Sequence, residues 1–329
     1  MKQLVVPIIA AMLAWPSLGQ ASFYQLNGTH TVDEKAFAQA YEFVVSKVGG
    51  DPIDRTKCPI RIRFADLKGL LAFTPLNSTG DGCQDEIIFD DSLNGNWRAQ
   101  IVLVHELVHL IRHHYNPYEE LWLDEGLAKL LEVLYVGFWP FNYEEKLRGL
   151  TSFRLSNDQS DYGPNGNGYV TSFFLLWYLH SRFGEKQLTK ELMTSSQTGW
   201  QNVEHSLSKL SERKIFKIPP RYLTKTSIWK HFGVALASND PMSASWGFFL
   251  IDYQFTALIN VDNNFFQSEK TEGIRPWEIR FHTRIPSLFS SLSSYYIAED
   301  SSVYRILDPS NLRSIPDRSV LIEIAASAD

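Results

Sequence analysis

The chain has 329 residues, 44% of them apolar and 13% aromatic, with a formal net charge of −6. That is material for one large domain or two ordinary ones with an ample core, and it excludes a disordered chain. The acidic balance, with no basic patch, low-complexity tract or fixed-period repeat, argues against a nucleic-acid partner and against a solenoid.

The opening residues, MKQLVVPIIAAMLAWPSLGQAS, place Lys2 before an apolar stretch broken by Pro7 and Pro16 and closed by Gly19-Gln20-Ala21. This reads as a secretory signal, residues 1–21, cleaved after Ala21. The stretch is short for a membrane span, and no later run reaches about 18 apolar residues. The mature chain is therefore expected to be exported, periplasmic or secreted, with no stable membrane span. Two cysteines, Cys58 and Cys83, then suggest one disulfide closing a loop of 25 residues, worth roughly 3 kcal/mol in the chain-entropy view.

Thr31 to Glu34 reads as a capping box, followed by Phe37, Tyr41, Val44, Val45 and Val48 at helical spacing, with Gly49-Gly50 as the stop. IRIRF at 60 to 64 alternates as a half-buried strand does; LLAFTPL (70 to 76) and EIIFD (86 to 90) are two more strand candidates. Residues 97 to 114 and 124 to 137 form strong helical patterns, and 151 to 168 carries the Ser, Asn, Asp and Gly of a loop. Tyr169 to Phe183 reads as a buried helix stopped by Gly184, with further helices near 185 to 194 and 200 to 213. IWKHFGVALA is ambiguous. Beyond Pro241 the runs WGFFLIDYQFTALINV, WEIRFHTRI, SVYRIL and SVLIEIA read as strands.

The chemistry concentrates in HELVHLIRHHYNPYEELWLDEGLA, residues 105 to 128. His105 and His109 stand one helical turn apart, so both imidazoles project from one face and can meet one zinc ion. Glu106 is rotated off that line, within reach of a water as a general base. A third ligand is needed. His113 falls on the same straight helix, where three ligands would span about 12 Å, too far for one ion; His113 and His114 read instead as a solvated helix end suited to the dipole. Glu125, after a turn and at the start of the next helix, is the favoured third ligand. Asp124, Glu119 and Glu120 are rivals, the last two reading as exposed loop charges.

HELVH followed by WLDEGLA resembles the gluzincin-type zinc metallopeptidases. The resemblance is clearest over residues 97 to 136 and extends more loosely through YGPNGNGYVTSFFLLWYLHSRFG. It implies zinc held by His105, His109 and Glu125, Glu106 as the base, a peptide or protein substrate lying along an edge strand (LLAFTPL or EIIFD), and a Tyr that donates to the oxyanion. Tyr169 is the candidate for that donor, with Tyr162 as its rival. Two features depart from the family. Lys129 stands where thermolysin-like enzymes have an Asp, leaving Asp124 as an alternative support, and no GxMEN stretch is present.

The expected fold is α+β. A zincin-like metallopeptidase domain at 22–230, with a small sheet and an active-site helix ahead of a helical part, precedes a β-rich region at 231–329. The expected function is zinc-dependent peptide hydrolysis. A non-catalytic zinc-containing binding protein and an amidase acting on cell-wall peptides are the alternatives, and the sequence sets no oligomeric state.

Overall fold

The computed structural model describes residues 23–75, 83–137, 152–162, 168–183, 185–215, 223–237 and four strands within 278–325. The expected signal at 1–21 and the WGFFLIDYQFTALINV run lie outside the described residues. What is described is a mixed α/β chain with seven helices, a four-stranded sheet and a five-stranded sheet.

Strand β1 (Tyr24–Leu26) pairs in parallel with β2 (Ile60–Ala65), and helix α1 (Glu34–Val48) makes the crossover between them. The IRIRF alternation becomes alternate burial along β2, as half-buried strands require. The N-cap of α1 is Asp33, whose carboxylate accepts the Ala36 N–H at 3.0 Å. The expected cap at Thr31 is displaced because the Thr31 N–H is drawn to Asn94 Oδ1, 3.0 Å away. Gly49 ends the helix at φ 92°, donating its N–H to Val45 O, a left-handed position that suits Gly.

β3 (Ala72–Phe73) and β4 (Glu86–Asp90) complete the first sheet in the order β1-β2-β4-β3. β1, β2 and β4 run parallel, whereas β3 is antiparallel to β4. The apolar run Ile87-Ile88-Phe89 is fully buried, as befits an inner strand. Of the two edge candidates, the LLAFTPL segment therefore supplies the edge and EIIFD does not. Cys58 and Cys83 are bridged. Nearby, buried Arg55 donates to Asp51 at 2.7 Å and to Asp85 at 2.6 Å.

Helix α2 (Ala99–Tyr115) lies against α1 and β3, and α3 (Leu121–Val136) returns along it. α4 (Gly168–Arg182), nearly all buried, covers α3. Their approach is close: a Cβ on Gly126 would lie 2.9 Å from Leu176 Cδ2 and 3.1 Å from Ser172 O. α5 (Glu185–Thr194), α6 (Gly199–Glu212) and α7 (Lys225–Ala237) complete the helical part, so the ambiguous IWKHFGVALA is helical. Among the described residues no helix is long and apolar enough to cross a membrane.

The second sheet is antiparallel throughout, in the order β5-β6-β9-β7-β8: β5 (Ser152–Arg154), β6 (Glu278–His282), β7 (Ser293–Glu299), β8 (Ser302–Ile306) and β9 (Ser319–Ala325). β5 falls in the segment expected to be loop. Three residues cannot announce a strand by alternation, and pairing with β6, more than a hundred residues away, decides it.

Two expectations about charge are overturned. Glu119 is no exposed loop residue: its side chain is 4% exposed and ion-paired with Arg112, and it accepts from Gly199 N at 2.6 Å and Asn202 Nδ2 at 2.9 Å. Arg112 also donates to the carbonyls of Ser195 (2.7 Å) and Gln197 (3.2 Å). Glu120 accepts from Trp122 Nε1 and Asn157 Nδ2. Likewise His114 is not solvated, since its side chain is 7% exposed with Nε2 2.8 Å from Asp85 Oδ2. Removing one partner of a buried pair strands the other charge. Glu119→Leu is therefore expected to lower stability by about 3–5 kcal/mol in urea unfolding; an unchanged midpoint would contradict the pairing.

Candidate metal centre

α2 carries His105 and His109 on one face, and α3 lays Glu125 opposite them. The two Nε2 atoms are 3.1 Å apart. Glu125 Oε2 lies 3.3 Å from His105 Nε2 and 3.6 Å from His109 Nε2. All three side chains are buried, about one-tenth exposed.

The outward nitrogens define the protonation of the rings. His109 Nδ1 is 2.6 Å from Asp124 Oδ2, and His105 Nδ1 is 3.3 Å from Glu132 Oε2. An ionised carboxylate only accepts, so each Nδ1 carries the hydrogen and each neutral ring presents a lone pair at Nε2. Two nitrogen lone pairs and a carboxylate oxygen therefore converge. Glu125 Oε2 is buried without a hydrogen bond, and an unpartnered buried anion is costly. A metal ion answers that arrangement, and the buried group of His105, His109 and Glu125 can hold one.

Without an ion, protons must fill the gap. Burial alone would lower the pKa of His109, but Asp124 and Glu125 outweigh it and hold the imidazole well above 6.5. His105 is raised too, with Glu125 and Glu132 overcoming its burial. Burial would raise Glu125, but His109 and His105 draw it far below the ordinary carboxylate range.

No family model and no curated protein sequence matches the chain.

Around the three residues stand the other expected participants. Glu106 is buried, and its Oε2 accepts the Thr74 hydroxyl at 2.8 Å. The Tyr169 ring centroid lies 6.2 Å from that of His105, with Lys129 Nζ 5.5 Å over its face. Tyr162 is placed differently: its hydroxyl donates to Ser156 O at 2.9 Å and pairs with Ser172 Oγ at 3.1 Å, and burial pushes its pKa up. That is a core hydroxyl. The rival third ligands are engaged elsewhere, Asp124 on His109 Nδ1, Glu119 on Arg112 and Glu120 on Trp122.

Two residues were not singled out from the sequence. Glu132 supports His105 and receives Lys129 Nζ at 2.6 Å on the same oxygen. Its signal was available, since it lies two turns beyond Glu125 on the same face of α3. Thr74 had no such signal.

Carboxylates behind ligand histidines fix the tautomer and raise basicity, and their loss costs about 10–100-fold in metal affinity. Glu132→Gln is expected to weaken binding by that factor in chelator competition; unchanged affinity would remove Glu132 from the site. A raised histidine pKa stabilises the fold fully below the ordinary 6.5, and that contribution is lost as pH rises through the raised values. The metal-free chain should therefore lose thermal stability as pH rises above 6.5, while saturating metal should flatten the dependence. Equal slopes with and without metal would contradict the assignment.

Proposed function

We propose that the chain is a gluzincin-like zinc metallopeptidase that hydrolyses peptide bonds with Glu106 as general base. The observation carrying this reading is that Glu106, whose carboxylate accepts the Thr74 hydroxyl, directly follows His105, one of three buried residues whose ligand atoms converge as a metal ion would require. A purely structural metal site has no use for such a base.

Zinc is the ion the donor set favours. Two imidazoles and one carboxylate, with a position left for substrate, is the composition of a catalytic zinc site. Ligand atoms about 2.0–2.1 Å from a tetrahedral ion lie roughly 3.3 Å apart, and the separations here are 3.1, 3.3 and 3.6 Å. When bound, zinc supplies Lewis-acid polarisation of a carbonyl and acidifies water towards neutral pH.

The protein's own groups do the rest. His105 and His109 must be neutral to act as ligands, and their Nδ1 partners fix the tautomer that leaves Nε2 for the metal. Glu106 takes a proton from water as the water oxygen bonds to the scissile carbonyl carbon, then delivers that proton to the nitrogen as the C–N bond breaks. Tyr169, beside His105, is the proposed donor to the oxyanion. The substrate is a peptide segment in extended form, added to the β3 edge. Leu70, Leu71 and Phe73, all exposed near that edge, offer an apolar surface for its side chains. The four-stranded sheet, active-site helix and antiparallel edge suit the zincin arrangement. The Cys58–Cys83 bridge suits an oxidising compartment, so an exported enzyme is proposed.

Loss of a general base costs about 10²–10⁴-fold in turnover. Glu106→Gln is expected to lower kcat by that range on a peptide library while retaining one metal per chain. Full turnover with metal bound would refute the mechanism.

A further inference from the structure

The base is joined to the sheet edge through one side chain. Thr74 directly follows β3, and its Oγ1 lies 2.8 Å from Glu106 Oε2 and 3.3 Å from the Glu106 carbonyl oxygen. A hydroxyl has one hydrogen to give, and the closer, charged acceptor takes it. Among the described residues Thr74 is the one hydrogen-bond partner of this carboxylate. The two residues are 32 positions apart, so only the placement of β3 against α2 brings them together.

We propose that Thr74 is a positioning residue for Glu106: it occupies Oε2, so that the proton taken from water resides on Oε1. This rests on Glu106 being the base. A carboxylate free to rotate offers either oxygen in either orientation. One whose Oε2 is fixed by a donor keeps its other oxygen in a single direction and cannot retire the proton to the wrong side. Because Thr74 adjoins the last residue of the edge strand, a peptide added along β3 lies one residue from the group that orients the base. Substrate docking and proton transfer thereby share one short piece of backbone.

The test uses zinc-loaded wild type, Thr74→Val and Thr74→Ser. Val keeps the branched shape and removes the hydroxyl, whereas Ser keeps the hydroxyl. A hydrogen bond to a charged group corresponds to roughly 10–100-fold. The expected result for Thr74→Val is a kcat lowered by that factor, KM within about twofold, and unchanged zinc content and thermal stability, with Ser restoring most of the loss. Acetohydroxamate affinity, measured by calorimetry, supplies a readout independent of turnover. It places a donor against the Glu106 carboxylate and should weaken in Thr74→Val but not in Thr74→Ser. If wild type cleaves no peptide yet the hydroxamate pattern holds, the peptidase reading fails and the positioning role stands. If Val matches wild type in both readouts, if Ser is as impaired as Val, or if Val loses zinc or stability, the proposal is overturned.

Discussion

Three acceptor atoms face one another in a buried place when both rings are neutral, and only a proton or a metal ion between them relieves that arrangement. His105 Nε2, His109 Nε2 and Glu125 Oε2 sit within 3.1–3.6 Å. Turning the His109 ring over would bring its N–H inward, but it would take from Asp124 the Nδ1 hydrogen it accepts at 2.6 Å. The outer carboxylates thus create the demand for positive charge at the centre.

Such a cluster persists only on rigid supports. α2 and α3 pack along each other, and α4 presses on α3 closely enough to require glycine at 126. At the far end of α2, the Arg112–Glu119 pair ties the α2–α3 turn to the start of α6. Facing it, His114 engages Asp85, which Arg55 also holds, next to the disulfide. The C-terminal end of α2 is therefore anchored on the sheet side by one ionic group and on the helical side by another, just beyond His105 and His109. These anchors begin one turn beyond His109, and a shift of α2 against α3 would open the 3.3 Å gap between His105 and Glu125 directly.

What could be read in advance follows from distance along the chain. His105, His109, Glu106 and Glu125 announce themselves through helical spacing and one short connection, and Asp124 through adjacency. α1, β2, β4 and the helices from α2 to α6 were legible because each carries its own periodicity over several residues. The misread groups are those whose partners are remote. Glu119 looks like a loop charge until α6, eighty residues on, brings its amide to it. His114 looks solvated until Asp85 is seen beneath it. The edge position of β3 and the link from Thr74 to Glu106 depend on strand order, which pairing sets and local pattern does not. Glu132 was hidden differently: its spacing was in plain view, but the supporting acid was sought at 129, where the resemblance in the sequence places it and Lys stands instead.

Lys129 has a consequence for the two histidines. Asp124 approaches His109 at 2.6 Å. Glu132 approaches His105 at 3.3 Å, and the same oxygen is shared with Lys129 at 2.6 Å. A carboxylate already neutralised by an ammonium accepts a hydrogen less strongly and pushes less electron density into the ring. Lys129 thus divides the support that Glu132 gives His105, whereas Asp124 supports His109 alone. The lysine also stands over the Tyr169 ring, so one cation adjusts a ligand's support and holds the neighbouring tyrosine beside it.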